Sequence, residues 1–447
     1  MGDTEFLISV STLCDDVPDE PHMKIFDDRS VLVDGDGHTV VFTEGPPGTR
    51  AKDRLRKIKE KLEKGWFSDF IEKAVRSGDQ TVNLSDEDQV QLRQLADSVT
   101  SEVGRALAGL FVLQLVVKAV EPSQSVRLHK GGQSDFSWVD GIPMRGLDAN
   151  YITPNLRRYG LLRLNADGFM MTRSLAENYP YSRFYKAAIK GGKMPWVELV
   201  DKLEQGSMNP TEALGFLIWL LANRSEKFRK SATQTLKLVQ DYIGGQPTLE
   251  DARSLVELHM HQSTYSARLL EIAMHSLLQV VEDEGLLDGV LSPLCQMRTA
   301  NKKHRNVGDV EIVGAPGSRA VVEAWDAKYG KPYLRDEVEE LADKLGTNPH
   351  VLLAGFVTDS EPDVTPDIET RLKEILDLFG TEIRILSFEG WVTLNAARYG
   401  LDRGELGRKW LVAYSECLCQ VRRERAPIDE PADEWVESLG RLLQTIK

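Results

Sequence analysis

The stretch that most constrains this chain runs from Arg305 to Lys331 and reads R-N-V-G-D-V-E-I-V-G-A-P-G-S-R-A-V-V-E-A-W-D-A-K-Y-G-K. Its halves, Val307 to Val313 and Arg319 to Tyr329, are apolar and β-branched, and Gly314, Pro316 and Gly317 separate them, so the spacing predicts a β-hairpin. Three charges interrupt it. Asp326 and Lys328 lie two apart and share one face of a strand, whereas Asp309 joins that face only in the right register. Pairing Val313 with Ala320 sets Asp309 opposite Ala324 and on the shared face; a slip brings Glu323 or Trp325 opposite it instead. On a solvent-facing hairpin these are ordinary surface charges. If they converge, two carboxylates within about 5 Å repel each other unless a divalent cation with hard oxygen ligands sits between them. A nearby ammonium then positions or polarises water, which suits attack on a phosphodiester.

The flanking pattern is that of a mixed sheet with helices. Leu334 to Leu345 has helical spacing, with Leu334, Val338, Leu341 and Leu345 on one stripe, and His350 to Val357 is a short apolar run that reads as a buried strand. Ahead of the hairpin, Tyr265 to Val281 is helical and carries Glu271 in A-R-L-L-E-I-A-M-H.

Asp309 followed by Asp326-Ala327-Lys328 resembles the PD-(D/E)xK nuclease superfamily, with Gly308 standing where a proline often precedes the first acid. That superfamily's core runs helix, three strands, helix, strand, and its first helix often lends an acid to the metal site. The resemblance therefore implies Asp309 and Asp326 as metal ligands and catalytic acids, Glu271 as a further one, and Lys328 as the group that orients or deprotonates the attacking water. Glu271 has a plainer reading as a partly buried glutamate paired with Arg268 or His275.

Three segments narrow the likeness: G-L-D-A-N-Y-I-T-P-N-L-R-R-Y-G-L-L-R-L from Gly146, T-R-S-L-A-E-N-Y-P-Y from Thr172, and V-V-E-A-W-D-A-K-Y-G-K-P-Y-L-R-D-E-V from Val321. Together they resemble type II restriction endonucleases of the SacI-like family, over roughly Val126 to Val357. This implies a magnesium-dependent, sequence-specific double-stranded DNA endonuclease that leaves 5′-phosphate and 3′-hydroxyl ends. Cutting both strands of a palindrome needs two active sites, so a homodimer is implied. Two rivals stand beside it: a structure-selective DNA repair nuclease, and a non-cleaving DNA-binding protein with a nuclease-like fold.

Val126 to Lys193 interleaves basic and aromatic residues with glycine and proline, which predicts loops and short helices. Arginines and amides on loops are what phosphate anchoring and base-edge contact require, and Arg145, Asn150, Tyr151, Arg157, Arg158 and Arg173 are the candidates. An ordinary surface over aromatic core anchors is the alternative. Lys302, Lys303 and Arg305, just before the hairpin, either hold a phosphate strand near the cut or sit in a solvated loop.

The expected fold class is α/β (α+β), with a restriction-endonuclease-like core whose mixed central sheet is flanked by helices. That core is assigned to 246–447, a mostly helical DNA-contacting region to 49–245, and an acidic β-rich extension to 1–48. The first 50 residues hold eleven acids against three Lys or Arg in a chain of net charge -14, so any basic cleft must be local. Ser30 to Val33 and His38 to Phe42 around Asp-Gly-Asp-Gly predict a hairpin, and Ala51 to Arg76 a Lys/Arg-rich helical stretch. Ser85 opens a predicted helix running to Val120, and Pro210 to Ile243 reads as two helices with Arg224, Lys227, Arg229 and Lys230 between them. Beyond Thr365 the spacing predicts a helix (Pro366 to Gly380), a strand (Glu382 to Phe388) and two helices (Leu401 to Arg425, Asp433 to Ile446). Ala106 to Val120 is too short for a bilayer and contains Lys118, so it reads as a core helix, with no membrane partner. Four scattered cysteines show no zinc or disulfide spacing, which with the absence of a signal peptide points to the cytoplasm. The His259-Met-His261 pair reads as structural, and no Walker or Rossmann glycine loop indicates a nucleotide cofactor.

Overall fold

The computed structural model describes residues 20–34, 37–78, 83–132, 136–189, 191–294, 306–318, 320–331, 333–423 and 430–446. They form two compact units, 1–222 and 223–447.

The first unit opens with an antiparallel sheet, β1 (His22–Ile25), β2 (Arg29–Val33) and β3 (Thr39–Thr43). The expected hairpin is β2 and β3, with Val33 opposite Thr39, and Leu32, Phe42, Leu128 and Trp138 close a small core beneath it. The basic helical stretch is two helices, α1 (Thr49–Glu63) and α2 (Trp66–Ser77), broken at Gly65. The helix expected from Ser85 to Val120 is likewise interrupted. Ser85 caps α3 (Asp86–Asp97) by accepting from the Asp88 N–H, a 3-10 turn covers Ser98–Thr100, and Ser101 caps α4 (Glu102–Val120). A second serine cap starts a new helix because its hydroxyl takes a backbone N–H that a continuous helix would bond internally.

Helix α4 is apolar all round and buried from Gly104 to Lys118, as a helix surrounded by other elements must be. By length and composition alone it could cross a membrane, yet 83% of its most apolar window is buried inside the protein. Around it, α5 (Met144–Leu147), a π-helical turn (Asp148–Ile152), α6 (Thr153–Arg158) and short 3-10 turns bear out the expectation of loops and short helices. Next come α7 (Lys193–Gln205) and α8 (Pro210–Gly244). The two helices expected over the last span are one. No proline or glycine separates them, and Glu226 pairs with Arg229 and Lys230 along the helix, so the basic cluster sits on a continuous exposed face.

In the second unit α9 (Leu249–His261) and α10 (Ser266–Asp283) precede a five-stranded sheet: β4 (Val290–Leu291), β5 (Val310–Val313), β6 (Val321–Lys328), β7 (Leu353–Thr358) and β8 (Glu382–Ser387), in that spatial order. Strands β4 to β6 pair antiparallel and β6 to β8 parallel, so the sheet is mixed, as expected. Helix α11 (Arg335–Leu345) links β6 to β7 and buries the predicted stripe, while α12 (Pro366–Phe379) links β7 to β8. Both pack on one sheet face with Ala324, Ala354 and Phe356. The other face, with Val310, Ile312, Trp325 and Val357, meets α10, α13 (Phe388–Arg398) and α14 (Arg403–Leu418); α15 (Ala432–Thr445) joins the same core. Helix α13 was not expected. Ser387 caps it directly off the strand, leaving no loop to betray the switch.

Candidate active site

The hairpin register brings the sequence-predicted acids together, though by another route than pairing Val313 with Ala320. Val310 lies opposite Trp325 and Val313 opposite Val321, with an irregularity between Ile312 and Val313 that takes up the extra residue. Asp309 lies immediately before β5, and its N–H donates to the Trp325 carbonyl at 2.9 Å. Its backbone partner is thus Trp325, the neighbour of the slipped register and not Ala324, but Asp309 precedes the strand, so the period of two does not fix its face, and its carboxylate reaches the Ala327 N–H and Asp326. Gly308 makes the approach possible. A Cβ there would come within 2.8 Å of the Trp325 carbonyl oxygen, so a side chain would push the start of β5 away from β6.

Asp326 is 7% exposed, and its Oδ1 is buried with no hydrogen-bond partner. Its Oδ2 meets Lys328 Nζ at 2.9 Å. Asp309 Oδ2 accepts the Ala327 N–H at 3.0 Å. Burial pushes the Asp309 carboxyl well above the usual carboxylate range, and the negative charges of Glu271 and of the adjacent Asp326 push it further; the Ala327 N–H offsets only part. Two acids in one buried place cannot both ionise without a counter-charge.

Lys328 Nζ also lies 2.7 Å from Glu337 Oε2, and the other oxygen of Glu337 takes Lys331 at 2.9 Å. Burial alone would depress the Lys328 ammonium, but Asp326 and Glu337 outweigh it and hold the group above the ordinary lysine range. Glu337 sits in the first turn of α11, where acids are common for the helix dipole alone, so nothing in its sequence position singled it out.

Glu271 enters from α10. Its side chain is 17% exposed and pairs with the buried Arg268, which also meets Glu430 Oε1 at 2.9 Å; Arg423 closes on the same Glu430. Burial raises the Glu271 carboxyl, Arg268 opposes this, and Asp326 and Glu430 add to it. Both readings of Glu271 are therefore present: it is the counter-ion of Arg268, and it shares the electrostatic neighbourhood of the acid pair. Sequence reasoning missed Glu337, Glu430 and Arg423, because ion pairs between distant segments leave no local pattern.

Among the described residues, no group of three or more His, Cys, Asp or Glu side chains is placed to hold a metal ion. The donors on offer are the two contacting carboxyls, one with an orphaned oxygen. That fits a hard cation of the magnesium type, which takes one or two carboxylates and fills its remaining positions with water and substrate phosphate. The two histidines of H-M-H are engaged elsewhere: His259 is buried between the Tyr414 hydroxyl (2.8 Å) and the Trp435 carbonyl (3.0 Å), and His261 Nδ1 meets the Tyr329 hydroxyl at 2.8 Å.

Six of the DNA-contact candidates belong to the first unit. Arg145, Asn150, Arg157, Arg158 and Arg173 are exposed, and Tyr151 is half-buried with its hydroxyl donating to Glu63 at 3.0 Å. Arg145 lies 3.7 Å from Asp167, and Arg158 stacks over Tyr159. The turn that presents them is built on buried Asp148, which accepts from the Thr153 hydroxyl at 2.9 Å and the Phe169 N–H at 3.0 Å. Lys302, Lys303 and Arg305 lie outside the described residues. A cavity of about 960 Å³ in the first unit is lined by Asp27, Glu44, Pro47, Lys52 and Phe136; none of the candidate catalytic or DNA-contact residues borders it.

No protein-family model matches the chain, and comparison with curated proteins returns no match.

Proposed function

We propose that the second unit is a restriction-endonuclease-like core and that the protein is a magnesium-dependent, sequence-specific double-stranded DNA endonuclease. One observation carries this reading: Asp309, just before β5, and Asp326, on β6, meet in a buried place where Asp326 Oδ1 has no hydrogen-bond donor. The Lys328 ammonium answers only one of the two acids, so a buried place that holds both as carboxylates needs a second positive charge. A hard cation removes the conflict.

Asp309 and Asp326 would hold the ion, with Glu271, paired to Arg268, adding its negative field, and the Ala327 N–H fixes Asp309. When bound, magnesium supplies positive charge where negative charge develops on the phosphate. Lys328, kept protonated by Asp326 and Glu337, acts as a donor that orients water and offsets charge at the scissile phosphate, not as the base. The exposed arginines of the first unit supply phosphate contacts.

Incubation of mixed-sequence duplex DNA with and without magnesium, followed by sequencing of the ends, tests the reading. Discrete magnesium-dependent fragments with 5′-phosphate ends, lost in Asp326→Asn, are expected. Cleavage confined to branched or flapped DNA would move the assignment to a structure-selective repair nuclease. Tight duplex binding without cleavage in any divalent metal would make it a non-cleaving DNA-binding protein.

A further inference from the structure

Strand β8 ends the five-stranded sheet, and among the described residues no strand pairs with its outer rim. Alternate residues of a parallel strand bond to the neighbour; the Glu382 N–H donates to the Leu352 carbonyl, so Glu382, Arg384 and Leu386 face β7. The backbone groups of Ile383 and Ile385 point outward, and among the described residues neither makes a backbone hydrogen bond outside the sheet. Natural edges are blunted by proline, a bulge or lysine. This strand, E-I-R-I-L-S in regular register, has no proline, bulge or lysine, and its two charges, Glu382 and Arg384, are opposite in sign. Just before its start, at the end of α12, Leu378 is 68% exposed, with Leu376 and Phe379 also uncovered. A bare backbone rim flanked by exposed leucines is a template for another strand.

We propose that this rim is the contact between two copies of the chain, paired antiparallel about a two-fold axis through Ile383. The charges select that register. With Ile383 opposite Ile383 of the second copy, the outward N–H and C=O groups exchange both hydrogen bonds. Glu382 then faces Arg384 of the second copy, in the closer, non-hydrogen-bonded pairing, and the reciprocal pair forms on the other side of the axis. Glu382 and Arg384 already lie 2.7 Å apart within one strand, so the four charges alternate in sign. A register centred on Arg384 opposes two guanidinium groups, and one centred on Ile385 sets Arg384 against Leu386. Because the same patch serves both copies, the contact closes as a dimer and does not propagate. The proposal stands on the sheet edge alone and does not depend on nuclease activity.

Sedimentation equilibrium of the full chain and two variants over a wide concentration range tests it. The unaltered protein is expected to dimerise. Arg384→Glu, which opposes Glu382 with a second acid on both sides of the axis, is expected to weaken association by roughly tenfold or more. The double exchange Glu382→Arg with Arg384→Glu is expected to restore it. Both side chains are partly exposed in the single chain, and unchanged melting will certify the fold; if Arg384→Glu fails to fold, Leu378→Asp gives the same readout from a fully exposed position. A monomer at all concentrations, a dimer indifferent to Arg384→Glu, or a double exchange no better than the single variant would overturn the proposal.

Discussion

Lowering the pH should unfold this protein in part through His259, and the size of the effect follows from its surroundings. The ring is fully buried on α9 between a hydroxyl and a carbonyl. A carbonyl only accepts, so Nε2 carries the proton toward Trp435 and Nδ1 accepts from the Tyr414 hydroxyl. A second proton would place a charge in an apolar core facing a donor. Burial accordingly drops the His259 pKa from 6.5 to about 4. The fold thus binds the proton less readily than the unfolded chain does. This histidine's contribution is full above pH 6.5 and is lost as pH falls toward 4, amounting to about 2–3 kcal/mol between pH 7.5 and 4.5. Carboxylates titrate over the same range, so the assay must subtract them. Urea unfolding of the unaltered protein and of His259→Leu at several pH values does so. The variant is expected to be less stable at pH 7.5, because it strands the Tyr414 hydroxyl, but to lose about 2–3 kcal/mol less on acidification. Equal losses in the two proteins, or a His259 resonance titrating near 6.5 in the folded state, would refute the reasoning.

Four further outcomes are expected. Asp326→Asn should reduce magnesium-dependent cleavage by at least about 100-fold while leaving duplex affinity within a few-fold, measured by gel and by filter binding. Glu337→Gln removes one of the two anions that hold Lys328; single-turnover rates should fall roughly tenfold with little change in KM, and a larger change in KM than in rate would contradict the positioning role. Gly168→Ala should cost about 3 kcal/mol or more in urea unfolding, because Gly168 has φ +56° and an added Cβ would lie 1.9 Å from Asp148 Oδ2. Replacing Arg157 and Arg158 by Ala should weaken DNA binding across all sequences and flatten its salt dependence by about one unit of slope per arginine that contacts phosphate; an unchanged slope would remove them from the interface.

Much of the second unit was legible residue by residue. Alternating apolar residues around Asp309, Asp326 and Lys328, a helical stripe at Leu334, Val338, Leu341 and Leu345, and an apolar run into Val357 are local patterns, and each became the element its period dictates. Where local signals conflicted, contacts decided. Lys/Arg residues that suggested a break within Pro210 to Ile243 cost a helix nothing on its exposed face. Conversely, Ser98 to Ser101 interrupts a span with good helical spacing, because the second serine cap favours a fresh start.

The candidate site divides the same way. Chemical type and alternation alone determined that Asp326 and Lys328 share a face and that an acid precedes them on the paired strand. Tertiary structure decided the rest. Bonds to the Trp325 carbonyl and the Ala327 N–H place Asp309, α11 brings Glu337 to Lys328, and Arg268 claims Glu271 while also pairing with Glu430, 162 positions beyond Arg268. Strand period acts over two residues and is written in the chain, whereas register and ion pairing compare the energies of segments far apart in sequence, which only the packed sheet and its helices bring within reach of one another.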